Sequence, residues 1–182
     1  MDVPPQAEAS TDRSNPWLGS DVESILRERG WLAGEALPEH AAWCDRAASL
    51  LGAFAADRSA LASLLELVFH YDASGLVAQV ESHIALSRYA ARDVLRETGR
   101  LLLESGSLDS DLFKQVVATL RERLELTGRD VLLPIRLALA GHLGEGELDR
   151  VILLLDPAAA LSWTVPVKSV RQRIVEFCAA LD

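Results

Sequence analysis

Apolar positions repeat with helical spacing along most of this chain, and sustained strand-like alternation is absent. Val22, Ile25 and Leu26 follow a Ser20–Glu23 capping-box pattern. This predicts a short helix from about Asp21 to Arg29, stopped by Gly30 and pinned to the body by Trp17 and Trp31. Pro38 suits the first turn of a second helix carrying Trp43, Ala47, Leu50, Leu51 and Phe54. Asp57 or Ser59 can cap a third, with Leu61, Leu64, Leu65, Val68 and Phe69 on one face. After the break at Asp72–Gly75, a segment from Leu76 to about His83 reads as helical.

Residues 86–104 read as one long helix whose apolar side includes Leu86, Tyr89, Ala90, Val94, Leu101 and Leu102. Leu112, Val116, Leu120 and Leu124 mark the next helix, capped by Asp109 or Ser110 and ended at Thr127-Gly128. Gly128–Asp156 then reads as helix, glycine turn, helix. Arg136 sits inside the apolar first half, and Gly141, Gly144 and Gly146 bracket the connection before Val151–Leu155. Beyond Asp156-Pro157 the chain passes Trp163 and Pro166 into a last helix with Val167, Val170, Ile174, Phe177 and Leu181 inward. The whole predicts an all-α fold, a single compact domain of seven to nine helices over residues 17–182, with residues 1–16 as a polar disordered tail.

Composition agrees with this pattern. The 182 residues are 49% hydrophobic and rich in Ala, Leu, Arg and Glu, the strong helix formers, and the length can bury a core without staples. No apolar stretch is long enough to predict a membrane span, and the N-terminus lacks the pattern of a signal peptide. Two cysteines, Cys44 and Cys178, lie far apart, so a reduced, cytoplasmic setting is expected. Net charge is −9, the wrong sign for nonspecific nucleic-acid binding. The acidity is uneven: residues 1–84 hold five Lys/Arg against thirteen Asp/Glu, whereas residues 85–136 hold nine against eight.

Candidate chemistry is sparse. His40 and Cys44 are four apart on a predicted helix, but no second pair completes a zinc set, so no metal or other cofactor is expected. His70, Tyr71 and Asp72 read as polar residues finishing a helix. No nucleophile elbow or phosphate-binding glycine fingerprint occurs, so no enzyme activity is expected. Arg88, Arg92, Arg96 and Arg100 recur every fourth residue. They form either a solvated face relieved by Asp93 and Glu97 or a ladder for phosphates or an acidic partner. Arg136 can be a base-reading side chain, or a partly buried arginine satisfied by helix-end carbonyls or a carboxylate such as Asp130.

One family pattern fits the Gly128–Asp156 stretch. Pro134-Ile-Arg136-Leu-Ala138-Leu139-Ala140-Gly141, a short loop, then Gly146-Glu147-Leu148 and Val151–Leu155 resembles the P-L-R-x-A-L-T-G and P-x-L segments of the C-terminal anticodon-binding region of bacterial glutamyl-tRNA synthetases. Asp57-Arg58-Ser-Ala-Leu61, followed by Leu64 and Phe69-His-Tyr71, resembles more weakly that family's arginine before T-L-x-E-L. The likeness spans residues 57–156, leaving 157–182 as an extra C-terminal helix. It implies an all-α helical cage, detached from the catalytic domain, that binds tRNA. Arg136 would read an anticodon base, Leu148 would pack there and Arg58 would assist. Leu133 stands where the family has a polar residue, and Glu145 and Glu147 flank the reading arginine. Those departures and the acidic first half motivate the alternative of a helical protein-interaction or regulatory domain without RNA binding. The sequence does not specify an oligomeric state.

Overall fold

The computed structural model describes residues 14–182; the sequence-predicted tail falls mostly outside them. The described residues form ten α-helices and no strand. They are α1 (Gly19–Glu28), α2 (Pro38–Leu51), α3 (Arg58–Phe69), α4 (Ala73–Val77), α5 (Val80–Leu86), α6 (Ala91–Glu104), α7 (Ser110–Leu124), α8 (Gly128–Ala140), α9 (Gly146–Ala159) and α10 (Val170–Leu181). A short 3-10 turn, Gly52–Phe54, follows α2. The count exceeds the expected seven to nine because one stretch that reads as a single helix is two, and a second, residues 86–104, is broken near its start.

The clearer break lies at residues 87–90. Ser82, Ala85 and Leu86 face the core from α5, and Ala91, Val94, Leu95, Thr98 and Leu102 from α6. On one uninterrupted helix at 3.6 residues per turn these two sets would lie roughly half a turn apart, on opposite faces. The intervening turn brings both inward, at the cost of placing Ala90 at φ 59°, in the left-handed region. Tyr89 is thereby turned out of the predicted apolar side and is 86% exposed. Arg88 leaves the column, and only Arg92, Arg96 and Arg100 share a helix. The segment expected from Leu76 to His83 is likewise two short helices, α4 and α5.

Local side-chain caps set the starts of α3, α7, α8 and α10. Asp57 Oδ1 accepts from the Ala60 amide at 2.8 Å, Asp109 Oδ1 from Leu112 at 2.8 Å, and Thr127 Oγ1 from Asp130 at 3.3 Å. Ser169 and Gln172 exchange side-chain-to-backbone bonds at the start of α10. Helix α1 begins earlier than its Ser20–Glu23 pattern predicts. The reciprocal carboxylate is Asp21, which accepts from the Leu18 amide at 2.8 Å, while Glu23 instead binds Arg27. Pro157 does not end α9, which runs on to Ala159. The indole N–H groups of Trp43 and Trp163 secure its last turns by donating to the Leu154 and Ala158 carbonyls.

The α8–α9 hairpin is the hub. Helix α9 packs on α2 and α3, with α1 laid against α2, while α8 packs on α5, α6, α7 and α10. Residues Pro134–Ala140 are buried without interruption because α8 is surrounded. An aromatic cluster joins α2, α3 and the segments that follow α1 and α9. Trp31 stacks on Phe69 at 4.8 Å between centroids, and Trp163 meets Phe69 and Trp43 edge-on at 5.1 and 5.2 Å.

Candidate functional site at the turn between α8 and α9

Gly141 closes α8 with φ 75°, a conformation that favours glycine, and the chain turns through Gly144 into α9. Arg136, only 8% exposed, reaches across this turn. Its Nε and Nη2 donate to the two carboxylate oxygens of Asp149 at 2.7 and 2.9 Å, and Nη1 donates to the Gly144 carbonyl at 3.2 Å. Glu145 lies 3.7 Å from Nη1. The hydrogen bonds to Asp149 raise the guanidinium pKa further despite partial burial. Arg136 is thus a bidentate latch between the arms of the hairpin. The carboxylate partner is Asp149, whereas Asp130, the one suggested by sequence, binds Arg88 at 3.0 Å.

Leu148, the second position implied by the resemblance, is 2% exposed. It forms part of the floor of an open groove of about 440 Å³ between α3 and the start of α9. Phe54, Ala60, Ser63, Leu64 and Leu67 line one side, with His142 and Glu147 at the turn. Gly144 lets the turn close over Leu148: an added Cβ there would stand 2.9 Å from Leu148 Cδ1. Arg58, the third position, opens α3 and points to α1, donating to Glu28 at 2.7 Å and Ser24 Oγ at 2.9 Å. The structure therefore brings Arg136 and Leu148 to one turn but leaves Arg58 in a separate ion pair.

The predicted arginine column is largely matched by carboxylates. Arg88 pairs with Asp130, Arg96 with Asp93 at 3.9 Å, and Arg100 with Glu97 at 3.0 Å and Glu104 at 3.6 Å; Arg123 of α7 also approaches Glu97 at 3.4 Å. Arg92 makes no ion pair among the described residues. Hydrogen bonds from Arg100 and Arg123 hold Glu97 below the usual carboxylate range, and those from Thr127 and Arg88 do the same for Asp130.

The remaining candidates are engaged by the fold. His40 Nδ1 accepts from the Leu37 amide at 3.2 Å, and its Nε2 lies 2.8 Å from the Ser162 carbonyl, leaving no free ring nitrogen to pair with Cys44. Burial, then nearby Glu23 and Asp45, push the Cys44 thiol up to about 12, so it stays protonated at neutral pH. Tyr71 donates to the Ala138 carbonyl at 2.5 Å, and burial raises its pKa beyond the ordinary range. Among the described residues no group of three or more His, Cys, Asp and Glu gathers as a metal site would require, and no helix is long and apolar enough to cross a membrane.

One charged residue escaped sequence reasoning. Arg173 of α10 is fully buried and donates to the Leu67 and Val68 carbonyls at the end of α3 and to Leu139 at the end of α8. A signal existed: position 173 falls on the apolar stripe formed by Val170, Ile174 and Phe177. Comparison with protein-family models, curated proteins and solved structures finds no match in any of the three.

Proposed function

We propose that this domain is a non-catalytic helical interaction module whose partner is a protein, built on a scaffold resembling the anticodon cage of glutamyl-tRNA synthetases. The observation that carries this reading is the Arg136–Asp149 pair. An arginine that is only 8% exposed, with Nε and Nη2 on one carboxylate and Nη1 on a backbone carbonyl, would have to give up this latch to present its fork to a base. The apolar groove beside it supplies a surface suited to side chains rather than phosphates. A gel-shift series with bulk tRNA at about 50 and 200 mM salt tests the reading. No retardation at either salt is expected, and a complex that weakens steeply between the two would overturn it.

The tRNA-binding reading is favoured by a different place. Tyr89 projects from the α5–α6 turn between Arg88 and Arg92, an exposed aromatic flanked by cations on which a base could stack. If tRNA binds, Tyr89→Ala and Arg92→Ala should each weaken the complex severalfold. Arg136→Ala should then alter preference among anticodons more than overall affinity.

A further inference from the structure

Among the described residues, the groove between α3 and α9 carries more negative than positive charge at its rim. Arg136 is the guanidinium at this turn, and three carboxylates act on it: Asp149, Glu145 and Glu147. Asp149 takes the bidentate pair, leaving a surplus of negative charge on Glu145 and Glu147. Glu147 lines the groove itself, and Glu145 is among the most exposed side chains on the turn. Among the described residues no Lys or Arg lines the groove, and Arg58, at the start of α3, is committed to Glu28. Phe54 stands at the groove with 37% of its surface exposed, beside Leu64 and Leu67. Apolar floor, aromatic at the edge and acidic rim are the complement of one kind of surface.

We propose that this groove receives an amphipathic helix of a partner protein, its apolar stripe seated on Phe54, Leu64, Leu67 and Leu148 and a Lys or Arg of its flank reaching Glu147 and Glu145. This rests on the protein-interaction reading and narrows it to one site and one partner chemistry. Helix-in-groove recognition uses anchors at i, i+3 or i+4 and i+7, which an open apolar trough between two helical elements accommodates. The acidic rim would steer the cationic flank on approach and fix the orientation of the bound helix.

Fluorescence anisotropy on the full chain tests this with two labelled peptides of about 18 residues, five helical turns. Both carry leucine at the anchor positions; one has lysine elsewhere and its twin has glutamate. The lysine peptide should bind with a Kd on the order of 10 μM. Phe54→Ser and the surface double variant Glu145→Lys/Glu147→Lys should each weaken it at least about tenfold, while Glu104→Lys, a charge reversal on α6, should leave it within about twofold. Absence of binding, or equal effects of Glu104→Lys and of the rim reversal, would overturn the groove assignment. Binding of the glutamate twin that is lost on Arg92→Glu would overturn it too, while leaving the protein-interaction reading standing. Failure of both peptides together with salt-sensitive binding of bulk tRNA would remove both. Far-UV circular dichroism confirms that the variants remain folded, and the rim reversal tests the site through exposed positions.

Discussion

Arg136, within α8, and Arg173, which reaches the end of α8 from α10, are both withdrawn from water and are neutralised in opposite ways. Arg136 faces a carboxylate, in a paired geometry with Asp149 across a tight turn. Arg173 faces carbonyls: Nη1 donates to Leu67 at 2.9 Å and Leu139 at 2.8 Å, and Nη2 to Val68 at 2.7 Å, with Nε unpartnered. Those carbonyls are the last of α3 and α8, where the negative ends of two helix dipoles converge. The Tyr71 ring stands 4.5 Å from the guanidinium carbon. Desolvation pushes the Arg173 pKa down to about 10, still charged at neutral pH. The contrast separates two ways of holding a cation in a core: one depends on a single opposing charge, the other on the placement of two helix ends.

The widest separation between the two should come from removing Arg173. Arg173→Met leaves three carbonyls without their donor at a junction of α3, α8 and α10. It should cost about 3–5 kcal/mol in urea denaturation, the range for breaking a buried charged network. Arg173→Lys should recover part of that, since an ammonium cannot span the same fork. A loss below about 1 kcal/mol for the methionine variant would mean that the helix ends are held by packing alone.

The Arg136 latch should behave differently because its partner can be removed with it. Asp149→Ala strands a guanidinium beneath the turn. It should cost about 2–3 kcal/mol, less than a fully buried pair because Asp149 keeps some contact with water. Replacing both residues by leucine should cost less than Asp149→Ala alone, and a double-mutant cycle reads the coupling directly. A double variant worse than the single would show that the latch orders the turn rather than merely neutralising itself. Arg173 has no counterpart experiment, because its partners are backbone.

Sequence made the first arginine visible and concealed its role. A single charge inside Pro134–Ala140 stands out against apolar neighbours, and Glu145 and Glu147 are close by in the chain. Asp149 was not distinguishable from Asp130, because only the path of the turn decides which carboxylate meets the guanidinium. Caps such as Asp57 and Asp109 are local and were legible. The Arg173 cage joins segments about a hundred residues apart, so periodicity could flag the misplaced charge but not its partners. The break before α6 was written as a slip in helical phase, with neither glycine nor proline to mark it. The groove combines Phe54, α3 and the α8–α9 turn, a juxtaposition that no sequence window contains.

The smallest expected effect concerns the exposed arginines, which extend the comparison to cations that never left water. Glu97 and Asp130 have pKa values held below their ordinary 4.5 and 3.8 by hydrogen bonds, those from Arg100 leading for Glu97 and those from Thr127 and Arg88 for Asp130. A depressed carboxylate stabilises the folded state fully above its ordinary pKa, and the contribution is lost as pH falls through that value toward the folded one. Stability should therefore decline below about pH 5 partly through these two groups. Arg88→Ala and Arg100→Ala together should flatten that decline while changing stability near pH 7 only slightly, because exposed pairs are strongly screened. At about 1 M salt the difference from the parent chain should shrink further. Arg173→Met should instead displace the whole stability curve with little change in its acid slope, because among the described residues no carboxylate hydrogen-bonds to Arg173 and Glu176 acts on it through charge alone. Urea titrations at about pH 3.5, 5 and 7 separate the two behaviours, and parallel acid slopes in all three chains would deny the surface pairs any share in acid stability.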